Sequence, residues 1–395
     1  MRLKTSLLLL GMCAVHCAAH NSLLSVSVNN NTSFDRFDEI VELSADSIGL
    51  DKDSYYRLLD ESGREHPFQL TYNGLLIFQT DLEAYSQATY SIVKGDSPSS
   101  FQKIASGKIY PEHNREIAWE NEYMGFRLYG PDNQIAGQKV YGYDIFFKYP
   151  SKEPILEKLY SQETSPSNWA KADSLRAINP RLADEFINSF SYHIDHGLGM
   201  DCYAVGETLG AGVAAIIDND TIYYPWCYEN ARILDNGPLR FTVELIFAPK
   251  TISGGCKIRE HRIISLDAGS RLNHCTVWYD GLDCERTIVA GFPRRDNSDA
   301  ILDVNRAIIA YSDPTQRPDY GKALLGIIVP TGCKQAYEKF GHILIEDKIG
   351  AAQRFNYMWG FAWNKTTIKS LNQWYDYLKT MEHIIKNPLK ITISK

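Results

Sequence analysis

The chain has 395 residues, 44% of them hydrophobic and 12% aromatic, with a formal net charge of −7. That length and apolar content suffice for a sizeable core, while the acidic balance disfavours nucleic acid as a partner. No later apolar run reaches the roughly 18 residues that a spanning helix needs, so no transmembrane segment is expected.

Residues 1–19 carry Arg2 and Lys4, an apolar run from Leu7 to Leu10, and small residues ending at Ala18 and Ala19. This pattern is that of a secretory signal and predicts export to the periplasm or the cell surface, with lipidation at Cys13 or Cys17 as a variant of the same route. Loss of Arg2 and Lys4 with the signal takes the net charge to −9. The other six cysteines, Cys202, Cys227, Cys256, Cys275, Cys284 and Cys333, all fall in the second half. Their wide spacing gives neither a CxxC pair nor a zinc pattern, and buried thiols or an occasional bridge are expected. No metal ligands are assigned.

From Ser22 to about Lys94, short apolar runs at Leu23–Val28, Glu39–Leu43, Gly74–Phe78 and Tyr90–Val93 alternate with Asn, Asp and Gly. This strand-and-turn chemistry predicts a small β-sandwich domain over residues 20–100, closed by a Ser/Pro linker at Asp96–Ser100. Residues 101–395 read as one large domain. Strand-like runs recur at Tyr123–Tyr129, Tyr143–Tyr149, Ala211–Ile217, Leu239–Phe247, Lys257–Leu266, Leu272–Trp278, Thr287–Gly291 and Leu324–Val329. Few helical patterns separate them, which disfavours a parallel βαβ architecture and predicts a mainly β, antiparallel sandwich. Two exceptions stand out. The polar stretch from Glu153 to Asn188 suggests short helices or a lid-like insertion, and Ser370 with Gln373 forms a capping-box pattern before an amphipathic helix that Asn387-Pro388 would stop.

The densest group of chemistry-bearing side chains is YHIDHGLGMDCY, Tyr192 to Tyr203. If it is extended, His193 and Asp195 share one face and Tyr192 and His196 the other, ahead of a turn at Gly197 and Gly199. His193, His196, Asp195 and Tyr203 are therefore candidate catalytic groups, with a His as base or acid and a Tyr as its partner. Metal ligation by His193, Asp195 and His196, or a purely structural role, remains an alternative for the same residues. In YYPWCYENAR, Trp226 offers a stacking platform beside Glu229 and Arg232; core aromatics on an edge strand would look the same. In IAWENEYMGFRLYGP, Arg127 stands among aromatics on a strand face, suited to a bidentate grip on a uronate carboxylate or to pairing with Glu120 or Glu122. Tyr192 joins this substrate-binding set.

The strings IAWENEYMGFRLYGP, YHIDHGLGMDCYAVGETLGAG, NGPLRFTVELIF, ISLDAGSRLN and YMWGFAWNK, in this order from about Ile117 to the C-terminus, resemble the bacterial family known as domain of unknown function 4861. The resemblance implies a secreted or periplasmic protein of polysaccharide degraders, in a family sometimes labelled pectate lyase or glycosyl hydrolase. It also implies an antiparallel sandwich similar to the galactose-mutarotase and lyase supersandwich. It carries no catalytic assignment. The expectation is thus a carbohydrate-active enzyme on an acidic, uronic-acid-containing glycan such as pectin or rhamnogalacturonan. The expected reaction is β-elimination, with Arg127 or a divalent cation such as calcium neutralising the carboxylate. Glycoside hydrolysis, drawing on Asp195, Asp201, Glu207 and Glu229, is the alternative on the same substrate. A non-catalytic glycan-binding protein built on Trp226 is the other rival, and a sugar epimerase or mutarotase rests on fold analogy alone.

Overall fold

A computed structural model describes residues 23–51 and 53–395; the expected signal, with Cys13 and Cys17, lies outside the described residues. All sheet pairings are antiparallel, save one isolated parallel bridge between Tyr143 and Gly210.

The main body is a two-layer sandwich. One layer is a nine-stranded sheet running in space from Tyr228–Asn236 through Arg240–Phe247, Lys257–Asp267, Leu272–Asp280, Phe355–Trp363, Ala323–Ile328 and Ile308–Asp313 to Ala300–Asp303, with Lys250–Thr251 as a ninth strand paired beside Lys257–Asp267. Two five-stranded sheets make the other layer: Gly199–Asp201, Asp144–Lys148, Gly125–Leu128, Glu116–Glu120 and Ser106–Tyr110 in one, and a sheet centred on Arg286–Pro293 in the other. Along most of these strands every second residue is apolar and points inward, with Glu260, Arg262 and Asn273 among the buried polar exceptions. Between the layers Trp119, Phe126, Tyr143, Phe241, Trp359 and Phe361 are fully buried and meet ring to ring, with Tyr143 stacked on Trp359 at 4.1 Å. The predicted strands coincide with this layout, and the expectation of a mainly β sandwich holds.

The first eighty described residues form two smaller sheets around Val26, Val41, Leu58, Phe78 and Ile92. Their outer strand comes from the other end of the chain: Lys390–Ser394 pairs with Leu24–Asn29. Of the expected Ser/Pro linker, Ser97 and Ser99 are fastened to Arg57, whose Nη1 donates to the Ser97 carbonyl at 2.7 Å and to Ser99 Oγ at 3.0 Å.

Among the described residues five α-helices decorate the strands: α1 (Pro131–Ile135), α2 (Leu156–Glu163), α3 (Pro166–Ile178), α4 (Pro180–Asn188) and α5 (Leu371–Lys386). The expected lid-like insertion is α2 to α4. Ser165 caps α3, Asn179 caps α4, and Pro166 and Pro180 stand at the first helical positions, where a missing N–H costs nothing. Glu120 receives the backbone N–H groups of Ile155 and Leu156 at the start of α2, at 2.9 and 2.8 Å, and its own charge is met by buried Lys148 at 2.7 Å. That carboxylate at a helix N-terminus lays α2 across the outer face of the five-stranded sheet. In α5 the capping pattern is realised, with Ser370 Oγ accepting from Gln373 N and the Gln373 side chain reaching back to Lys369 N. Trp374 and Leu378 press α5 onto the nine-stranded sheet at Gly326, where a Cβ would come within 2.7 Å of both. The C-terminal carbonyls of α5, at Ile384 and Asn387, accept from buried Arg36, at 3.2 and 2.9 Å.

Truncation after Asn387 should therefore open the first sheet: hydrogen exchange at Leu24–Asn29 is expected to accelerate strongly while Gln87–Gly95 keeps its pairing with Tyr55–Leu59. Trp374→Ala should cost about 3–5 kcal/mol in denaturant unfolding, the range for a buried aromatic removed from a packed site.

Candidate functional site

Arg127, Asp144 and Asp201 sit on three adjacent strands, with Arg127 and Asp144 directly opposite in the ladder. Phe126 and Leu128 point into the sandwich, so Arg127 points outward, toward the helical insertion. There it is buried, with only 5% of its surface exposed. Its guanidinium donates from Nε to Asp144 Oδ2 at 2.9 Å and from Nη2 to Asp201 Oδ2 at 2.8 Å and to the Tyr129 hydroxyl at 3.1 Å. Nη1 donates to the Tyr192 hydroxyl at 3.1 Å and lies 3.6 Å from Glu116 Oε2. Glu116 in turn accepts from Tyr160 of α2 at 3.2 Å and faces His113 Nδ1 at 2.9 Å.

Three sealed carboxylates thus surround one buried cation. Burial works against the Arg127 guanidinium, but Asp144 and Asp201 outweigh it and hold it firmly protonated. Glu116 behaves likewise: burial disfavours its charge, yet Arg127 and His113 keep its carboxyl below the usual range. Asp201 is the group left over. Burial first and Asp144 second push its carboxyl well above the ordinary carboxylate range, and its Oδ1 is buried without a hydrogen-bond partner. Burial also pushes the phenols of Tyr129, Tyr160 and Tyr192 up, so they act as hydrogen-bond donors and not as bases.

His193 stands at the solvent rim of this cluster, its side chain 53% exposed. Its Nδ1 is 3.1 Å from the Asp201 carbonyl oxygen and 3.6 Å from Asp201 Oδ2. The Asp201 carbonyl oxygen can only accept, so a neutral imidazole here carries its proton on Nδ1 and its lone pair on Nε2. The arrangement supplies a tethered imidazole base on a rigid, buried charge network.

The other candidates disperse. Residues 192–198 form turns and bends instead of the expected extended strand, and only Gly199–Asp201 pairs, so the two-face alternation does not apply. Gly199, at φ +121°, is obligatory, since a Cβ would sit 1.9 Å from the Phe147 carbonyl oxygen. Asp195 shapes this turn by accepting from Gly197 N at 2.8 Å, Gly199 N at 3.2 Å and the Tyr149 hydroxyl at 2.9 Å. His196 is exposed on it. Tyr203 is buried in the sandwich core with the Arg295 guanidinium 5.0 Å from its ring. Glu229 and Arg232 are exposed and pair with Arg259 at 3.8 Å and Glu244 at 3.1 Å. Trp226 lines a separate cavity, beyond α1. Tyr192 and Arg127 do meet, but the guanidinium already satisfied by Asp144, Asp201 and two tyrosines has no fork left for a uronate. Glu116, Asp144, His113 and Tyr160 went unnoticed in the sequence; the outward periodicity of Arg127 and Asp144 on neighbouring strands was the available signal. Among the described residues no group of three or more His, Cys, Asp or Glu side chains is arranged to hold a metal ion. The six cysteines from Cys202 onward are free thiols, four of them buried.

Fold and site together define an antiparallel β-sandwich protein with a buried arginine–carboxylate cluster and a histidine at its rim. The chain belongs to the family described as Domain of unknown function (DUF4861), whose model matches residues 28–391 and so includes the N-terminal sheets. It is similar to the "Uncharacterized protein P7" of Formosa agariphila, 25% identical over 344 residues that cover 81% of this chain and 78% of that one. Among solved structures it is similar to a protein in the glycosyl hydrolase family 38 from Enterococcus faecalis, with a TM-score of 0.52 at 9% identity. It also resembles an alpha-mannosidase from Enterococcus faecalis V583, with a TM-score of 0.50 at 8% identity. These alignments cover 94% and 95% of this chain but 47% of each of those, so the chain spans about half the length of the solved structures it matches. At such identity the likeness is one of fold.

Arg127→Met should leave three buried carboxylates without their cation and cost about 3–5 kcal/mol in chemical denaturation, whereas His193→Ala should stay within about 0.5 kcal/mol. Because Asp201 binds its proton more tightly folded than unfolded, its contribution is full below its unfolded pKa near 4 and is lost as pH rises through its raised folded value. Melting curves from about pH 4 upward should show a decline in stability that Asp201→Asn flattens.

Proposed function

We propose that the protein is an exported, carbohydrate-active enzyme that acts on a uronic-acid-containing glycan by β-elimination, with His193 as the proton-transfer group and Asp201 as the residue that positions it. The observation that carries this is the His193–Asp201 contact, which presents a free imidazole nitrogen to solvent and fixes its tautomer. Elimination requires a base at C5. As His193 Nε2 takes that proton, the C–H electrons form the C4=C5 double bond, the C4–O bond breaks, and the leaving oxygen takes a proton from the imidazolium or from water.

Hydrolysis places different demands on a site. It needs two carboxyl groups facing the scissile bond. Here Glu116, Asp144 and Asp201 are 2%, 0% and 1% exposed and are turned toward Arg127 rather than solvent. A raised carboxyl pKa such as that of Asp201 suits a general acid, but its burial against Arg127 keeps it from a scissile bond. The fold likeness to a glycosyl hydrolase family 38 protein and to an alpha-mannosidase supports a carbohydrate substrate in either case. Arg127 is reassigned: it orders Asp201, and the substrate carboxylate must be neutralised by another group or by a cation such as calcium.

Incubation with oligogalacturonides and rhamnogalacturonan fragments, followed by ultraviolet absorbance and by reducing-end release, separates these chemistries. The expected outcome is an unsaturated product that His193→Ala reduces at least 100-fold with the fold intact. Chain cleavage without ultraviolet gain would instead assign hydrolysis, and binding without cleavage would assign a glycan-binding protein. Loss of turnover on chelation, restored by calcium, would identify the neutralising cation.

A further inference from the structure

At the end of the sandwich, between the strands Thr221–Tyr223, Arg240–Phe247 and Lys257–Asp267, lies a cavity of about 230 Å³ lined by Tyr223, Trp226, Phe247, Lys250, Glu260 and Tyr279 among others. It is separate from the His193 site: α1 stands between, with Asn133 facing Glu116 on one side and Gln134 lining the cavity on the other. Three polar groups there are incompletely used. Trp226 Nε1 is buried without an acceptor. The hydroxyl of Tyr279, a residue 5% exposed, lies near Glu260 but makes no hydrogen bond of acceptable geometry. Lys250 Nζ donates to the Tyr224 carbonyl at 2.5 Å and has no carboxylate within ion-pair distance among the described residues. Glu260, the nearest acid, is already engaged by Arg262.

We propose that this cavity binds a single uronate residue, with Lys250 meeting the carboxylate and Trp226 and Tyr279 meeting ring hydroxyls. Orphaned buried donors are costly, and these two, unlike core groups such as Trp359 Nε1 and Tyr357 Oη, border a cavity where a polar ligand can complete them. The volume lies just below the roughly 300–1,000 Å³ of sites for drug-sized ligands and suits one sugar ring. Trp226, Tyr223 and Phe247 supply the aromatic surface on which the C–H face of a sugar ring packs, and Glu260 supplies an acceptor for a hydroxyl. The charge pattern selects within sugars. Lys250 is exposed by surface area, yet the protein packed around its ammonium lowers its pKa, a shift that an arriving carboxylate would oppose. An acidic ring thus finds here the unpaired cation that Arg127 cannot offer. For its ligand class this inference rests on the acidic-glycan proposal above; it is otherwise independent of the reaction at His193.

The test is calorimetric titration of the full chain carrying His193→Ala with free D-galacturonate and D-glucuronate, and with neutral D-galactose and D-glucose. Turnover is thereby removed, so a failed lyase assay and a failed binding assay remain distinct results. A uronate should bind saturably, at least tenfold tighter than its neutral counterpart. Lys250→Met should erase that difference, Tyr279→Phe should weaken uronate binding several-fold, and Gln134→Trp, which fills the mouth from α1, should abolish binding with the melting curve unchanged. No saturable uronate binding, less than tenfold preference over the neutral sugar, or indifference to Lys250→Met would each overturn the proposal.

Discussion

The site region is organised around one buried charge. An arginine sealed between a sheet and a helical cover is tolerable only if anions accompany it, since an unpaired ion in such surroundings costs several kcal/mol. Arg127 recruits Asp144 from the next strand, Asp201 from the one after, and Glu116 from the other side. Each partner arrives on a different segment, so the charge requirement fixes how those segments pack. Tyr160 and Tyr192 close the top by donating to Glu116 and accepting from Arg127, which ties α2 and the turn that follows α4 to the sheet.

An imbalance follows from the same constraint. One guanidinium cannot neutralise three carboxylates, and Asp201, which burial and then Asp144 disfavour as an anion, holds its proton to higher pH. His193, beside it at the rim, inherits an oriented tautomer without itself being buried. Stability and reactivity therefore draw on one network, and a cluster that looks structural at its centre is chemical at its edge. The Trp226 cavity obeys the opposite logic. There the cation, Lys250, has no carboxylate within ion-pair distance among the described residues, and the indole and phenol beside it lack hydrogen bonds at the wall of a cavity that a ligand can reach.

Much of the architecture was legible in the chain. Period-two alternation located Arg240–Phe247, Lys257–Asp267 and Leu272–Asp280 almost to the residue, because a strand buried on one face must alternate. The Ser370–Gln373 cap and the Asn387-Pro388 stop bounded α5 for equally local reasons. Less regular segments escaped. Lys390–Ser394 is mostly exposed and carries no strong apolar stripe, so its pairing with Leu24–Asn29 could not be read. YHIDHGLGMDCY was expected to begin as a strand, but two glycines at positive φ and the Asp195 carboxylate bend it into a turn.

For function, the sequence by itself determined the inventory: a histidine-rich dozen residues, an arginine on an outward strand face, and aromatics near Trp226. Those are local properties of composition and periodicity. Which of them meet was decided by the tertiary structure alone. Arg127 and Asp201 are 74 residues apart and joined at 2.8 Å, while Tyr203, two positions beyond Asp201, is buried in the sandwich core. Trp226 lies near Glu229 in sequence but faces Glu260 and Tyr279 across a cavity. Whether a charged side chain is free to hold a ligand depends on the partners folding brings to it. Those partners come from distant strands, and no spacing within the chain records them.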